Sequence, residues 1–164
     1  MPAPLEERPP VAGAVKETVL DDGSGRHHTA RTKARKAALD ILYAAEMTGR
    51  DPRDVLEDAA LAPRQLTAQI VDGVAYHMNA IDQMVTLALM GDWTLQRMPA
   101  IDRALVRLAA WELRYTKVPQ AAVIAEAVGL ADEYSTDGSA GFLTAVLRRI
   151  AEANTSKPQE NNEH

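Results

Sequence analysis

From Thr29 to Ile150 the apolar residues of this chain recur at spacings of three and four, and no segment alternates apolar with polar for long enough to make a convincing strand. Such a pattern can bury its apolar face only by packing helix on helix, so the fold class is all-α. Ala34, Ala38, Ile41, Leu42 and Ala45 form one face of a first helix, Thr29 to about Met47, which Gly49 ends. Asp51-Pro52 is a cap followed by a first-turn proline and starts a short helix to about Ala60. Pro63 opens a long helix to Met90 along Leu66, Ile70, Val74, Met78, Ile81, Val85 and Ala88, with Gly73 the place where it bends or splits. After a break at Gly91-Asp92 and a connector from Trp93 to Met98, Pro99 starts a fourth helix and Pro119 a fifth. Ser135 to Ser139 is a turn, and Phe142, Val146 and Ile150 mark a sixth helix. The expectation is a compact bundle of about six to seven helices in two packed three-helix-type subdomains, about residues 26–91 and 92–153.

The flanks differ from this core. Residues 1–25 hold four of the nine prolines and an Asp-Asp-Gly-Ser-Gly joint, and are expected to form a disordered acidic extension. Residues 154–164 are expected to be a flexible tail. The net charge of −5 sits in these ends. Residues 1–25 carry two cations against five acids, and residues 151–164 one cation against three, which leaves 26–150 neutral. The total therefore does not argue against a polyanionic ligand, which responds to local potential. The absence of cysteine removes disulfides, thiolate catalysis and Cys-type zinc sites, and is consistent with a cytoplasmic protein. No apolar run is long enough to span a membrane and no secretory signal is evident.

Nothing in the chain assembles into a catalytic constellation. Gly138-Ser139-Ala140-Gly141 fits neither a nucleophile elbow nor a phosphate loop and reads as a helix start. His77 is isolated, and His27 and His28 would point about 100° apart on a helix. No enzyme, metal or cofactor is expected.

One stretch is strongly uneven. Arg26 to Lys36 contains five cations, Arg26, Arg31, Lys33, Arg35 and Lys36, and no acid in eleven residues. Arg31 and Arg35 repel along one helix face, and cations at a helix N-terminus oppose its dipole. The stretch reads either as a solvated helix start or as a surface for phosphates, whose binding releases counterions.

The residues around it resemble a known family. Ala30-Arg-Thr-Lys-Ala-Arg-Lys-Ala-Ala-Leu-Asp-Ile-Leu-Tyr43 resembles the arginine-rich first helix of the NusB family. Trp93-Thr-Leu-Gln-Arg-Met-Pro-Ala-Ile-Asp-Arg-Ala-Leu-Val-Arg-Leu-Ala-Ala-Trp-Glu-Leu113 is similar to its central signature. Val118-Pro119 with Ile124-Ala-Glu-Ala127, and Tyr134-Ser135 through Leu147, resemble its last two helices, so the likeness covers about residues 26–151.

The resemblance implies a transcription antitermination factor that binds boxA RNA with NusE, a small-subunit ribosomal protein, within an RNA polymerase complex. It implies RNA contacts from Arg26, Arg31, Lys33, Arg35 and Lys36, with Tyr43 nearby. Phe142 would stack on a base or belong to the core. Asp102 would meet NusE, and is also a first-turn acid that suits its helix. A homodimer is compatible with the family. Ala125, Thr144 and Ala145 stand where the family often has Asn, Asn and Gly. Two other readings are a regulatory RNA-binding domain of a ribosomal RNA-modifying system and a helical protein-interaction module that binds no RNA.

Overall fold

The computed structural model describes residues 20–21, 27–59 and 62–156. Seven α-helices follow one another among these residues: α1 (Ala30–Thr48), α2 (Pro52–Glu57), α3 (Gln65–Tyr76), α4 (Met78–Ala88), α5 (Ala100–Tyr115), α6 (Gln120–Tyr134) and α7 (Ser139–Ser156). A 3-10 turn, Leu95–Arg97, precedes α5. The all-α class holds. β1 (Leu20–Asp21), in the segment expected to be a disordered extension, pairs antiparallel with β2 (His27–His28) just beyond it, a ladder of two residues on each side. The rest of that extension, the candidate Arg26 and residues 157–164 of the tail lie outside the described residues.

The chain divides into two compact units, Met1–His77 and Met78–His164. The division falls at His77, one helix earlier than the expected break at Gly91. The long helix foreseen from Pro63 to Met90 is two helices, and its interruption is at His77 rather than Gly73. His77 leaves helical geometry, with φ −102° and ψ 17°. The apolar stripe continues across the break because its two halves serve different cores. Ile70 and Val74 are buried in the first unit, and Ile81, Val85 and Ala88 in the second.

In the first unit α1 packs on α2 and α3, and α2 on α3. Ala34, Ala38, Leu42 and Ala45 of α1 are buried, as are Ile70, Val71 and Val74 of α3. The small residues let the two backbones approach, and Thr67 Oγ1 donates to the Ala34 carbonyl at 2.9 Å. Local chemistry sets the ends of α1. Thr29 is its extended N-cap, and its Oγ1 accepts from the Thr32 N–H at 3.1 Å. Gly49 closes it in the left-handed region at φ +66°, with the Arg50 N–H reaching back to the Ala45 carbonyl at 2.9 Å. A Cβ at Gly49 would meet no atom within 4 Å. Gly49→Ala should therefore cost only the conformational term, about 1 kcal/mol, read as a lower denaturant midpoint with unchanged slope.

In the second unit α5 is the central helix and packs on α4, α6 and α7. Alanines 104, 109 and 110 and Leu105, Val106 and Leu108 are buried around most of its circumference. Leu130 of α6 and Leu143, Leu147 and Ile150 of α7 complete the core. Burying a side chain of this size contributes about 1.5–3 kcal/mol. Polar ties fix the register of these helices. Arg107 donates to both carboxylate oxygens of Asp82 at 2.8 and 3.0 Å, and Arg149 Nε donates to the Ala88 carbonyl at 2.6 Å, at the last residue of α4.

Candidate nucleic-acid interface

From Ala30 onward the basic stretch forms the first two turns of α1. The helix period sorts its cations. Arg31 is exposed and Lys33 half-buried. Arg35 and Lys36 are buried, at 4% and 5% exposure. Arg35 lies four residues before Leu39 and seven before Leu42, both core residues, so a 3.6-residue period turns it inward. Lys36 Nζ donates to Asp40 Oδ1 at 2.5 Å, an ion pair at i,i+4. Of the cations expected to meet phosphate, Arg35 and Lys36 are thus buried in this structure. Arg31 and Lys33 are the cations of α1 that reach solvent.

The first turn of α1 contains no acid. Positive side chains thus stand beside the positive end of the helix dipole, and a phosphate placed there meets both. Two arginines further along this unit pair with carboxylates. Arg50 pairs with Asp58 at 2.5 Å, and Arg53 with Asp51 at 2.8 Å. Asp51 also caps α2 by accepting from the Arg53 N–H at 2.8 Å. The Arg53 guanidinium and that backbone bond lower the Asp51 carboxyl from its usual value to about 2. Tyr43, on the outward face of α1 two turns beyond the cations, is 37% exposed.

In the second unit a different feature stands out. Phe142, on the first turn of α7, is half-buried rather than a deep core residue. Its ring meets that of Trp93, with centroids 5.1 Å apart and planes tilted by 49°. Trp93 is 48% exposed. The Arg97 guanidinium lies 5.8 Å from the Trp93 ring centroid and is anchored by a 2.9 Å bond from Nη1 to the Asp92 carbonyl. Sequence reasoning placed Phe142 here and passed over Trp93 and Arg97 as connector. The overlooked signal was a tryptophan in a loop, which no helical period required to be buried.

Asp102 is the third feature. It sits in the first turn of α5 and is buried at 2% exposure. Oδ1 accepts from Ser135 Oγ at 2.5 Å and Oδ2 from Ser139 Oγ at 2.8 Å. Ser135 and Ser139 are 3.1 Å apart, and Thr136 Oγ1 is 2.9 Å from Ser139 Oγ. One carboxylate thus ties the start of α5 to the turn between α6 and α7. Gly138-Ser139 is indeed a helix start, with Gly138 at φ +87° and Ser139 the first residue of α7.

A family model described as the NusB family matches residues 32–152. The chain belongs to that family. Transcription antitermination protein NusB of Acidothermus cellulolyticus is 45% identical over 126 residues, 74% of this chain and 86% of the relative. Among solved structures, T. maritima NusB superimposes with a TM-score of 0.69 at 28% identity, covering 76% of this chain and 92% of that one. A complex of the antitermination factors NusB and NusE with double-stranded RNA gives 0.64 at 25% identity, covering 75% and 96%.

The NusB family resemblance associates Asp102 with the NusE contact; here both its oxygens accept from serine hydroxyls inside the unit and the residue is 2% exposed. Of the family departures, Ala125 and Ala145 are exposed, and Thr144 turns back on its own helix, donating to the Ala140 carbonyl at 2.7 Å. Ala125 and Thr144 line an open, mainly apolar groove between α6 and α7. Among the described residues no helix is long and apolar enough to cross a membrane, and no group of three or more His, Cys, Asp or Glu is placed to hold a metal ion.

Proposed function

We propose that this chain is an RNA-binding adaptor of transcription antitermination that acts without catalysis, binding boxA-type RNA together with NusE on nascent transcripts in the cytoplasm. The observation that carries the reading is the start of α1. Arg31 and Lys33 reach solvent there, in a first turn that itself contains no acid. A helix shaped for stability alone would carry acids at that end. Membership of the NusB family and the likeness to a NusB–NusE complex holding RNA support the same role. That relative binds a duplex, whereas boxA is read as a single strand in this proposal, so both forms belong in the test.

The test is filter binding of a short boxA-type RNA across a salt series, with and without NusE. Each phosphate contact on a single strand contributes about −0.7 to the slope of log K against log salt. Arg31→Ala should flatten the slope by about that amount and weaken binding at low salt. NusE should raise the RNA affinity of the wild-type protein. A salt-independent constant, or one indifferent to Arg31, would leave the plain interaction module as the better account.

A further inference from the structure

Trp93 is an energetic oddity. A large ring left 48% exposed, in the connector between α4 and α5 and beside a guanidinium, does little for the fold that a smaller side chain could not do. Its surroundings nonetheless hold it still. Gly91 takes φ +65° just before it, and the Trp93 N–H reaches the Met90 carbonyl at 3.4 Å. Phe142 supports one side of the ring at 5.1 Å, and Arg97 stands over it while tethered to the Asp92 carbonyl. A fixed aromatic surface beside an anchored cation matches one kind of ligand well. A nucleobase supplies a flat π-face of similar size, and its own phosphate supplies the negative charge for the guanidinium.

The geometry points to Trp93, backed by Phe142 and flanked by Arg97, as a stacking site for an unpaired base of a bound RNA. This inference rests on the RNA-binding reading above and adds to it a site that the cationic helix does not provide. Stacking on a Trp face tolerates any base, so the site would add affinity without specifying sequence. It also requires a base free of its own stack, so a fully paired duplex should leave it empty.

The experiment is a fluorescence titration of the full chain with single-stranded boxA-type RNA, with a blunt duplex of the same sequence as the second arm. The chain has two tryptophans, Trp93 and Trp111, so Trp93→Phe serves as the blank. We expect the single strand to quench wild-type emission along the same curve as binding, with little quenching in Trp93→Phe or with duplex. Trp93→Ala should weaken single-strand binding roughly tenfold, Trp93→Phe much less, and the salt slope should stay unchanged because no phosphate contact is removed. Unchanged thermal melts show that the variants are folded. RNA bound with wild-type affinity by Trp93→Ala, without quenching of Trp93, would overturn the site while leaving the adaptor role standing. Loss of NusE binding with RNA affinity intact would assign the ring to the protein partner and overturn it too. No RNA binding by the wild-type chain would remove the adaptor role and this site together.

Discussion

Asp102→Ala should destabilise the protein by about 3 kcal/mol, since two hydrogen bonds to a charged group are lost, each worth about 1.5–3 kcal/mol. In a chain of this size such a loss lowers the melting temperature by roughly 10 °C. The reason is local. Asp102 is 2% exposed, and both its oxygens accept from serines in the α6–α7 turn. Its removal leaves the buried Ser139 hydroxyl and the half-buried Ser135 hydroxyl without this acceptor and deprives the first turn of α5 of its acid. Asp102→Asn keeps one acceptor oxygen and should fall between wild type and alanine. Differential scanning calorimetry decides the matter. An Asp102→Ala protein as stable as wild type but deficient in NusE binding would return this residue to a partner-contact role. A protein that melts early and recovers NusE binding at low temperature would confirm the internal one.

Charge reversal in α1 should have opposite consequences at two arginines one turn apart. Arg35→Glu should lose about 3 kcal/mol or more of stability, because it puts a carboxylate where surrounding groups engage a buried guanidinium at 4% exposure. Arg31→Glu, at an exposed first-turn position, should leave the melting temperature nearly unchanged and reduce RNA affinity at low salt by roughly tenfold or more. An acid there even suits the helix dipole. Circular dichroism melts paired with RNA filter binding separate the two. If Arg35→Glu folds normally and loses only RNA, its side chain faces solvent in the working protein. If Arg31→Glu binds RNA as wild type does, the start of α1 is not the RNA surface.

These two residues show how far the chain could be read before its coordinates. Arg31 and Arg35 were indistinguishable as letters in a basic run, and both belong to one helix face by spacing. What separates them is that Arg35 is followed at i+4 and i+7 by Leu39 and Leu42, both buried, while Arg31 stands exposed on the first turn. The same holds for the stripe from Leu66 to Ala88. Its period was correct throughout, but a period cannot say that Ile70 and Ile81 enter different cores, so the break at His77 was placed at the glycine instead. Phe142 was singled out from its motif, whereas Trp93 was passed over, because the contact between the two joins a loop and a helix some fifty residues apart.

The order of residues alone determined the helices, their caps at Thr29, Gly49 and Asp51, the all-α class and the concentration of cations at the start of α1, since each depends on interactions within one or two helical turns. The tertiary structure alone decided which of those cations face water, where the two units part, that the Asp102 carboxylate turns inward to two serines, and that an exposed tryptophan rests against Phe142. These follow from contacts between elements distant in sequence, and local periodicity carries no information about which face another helix will cover.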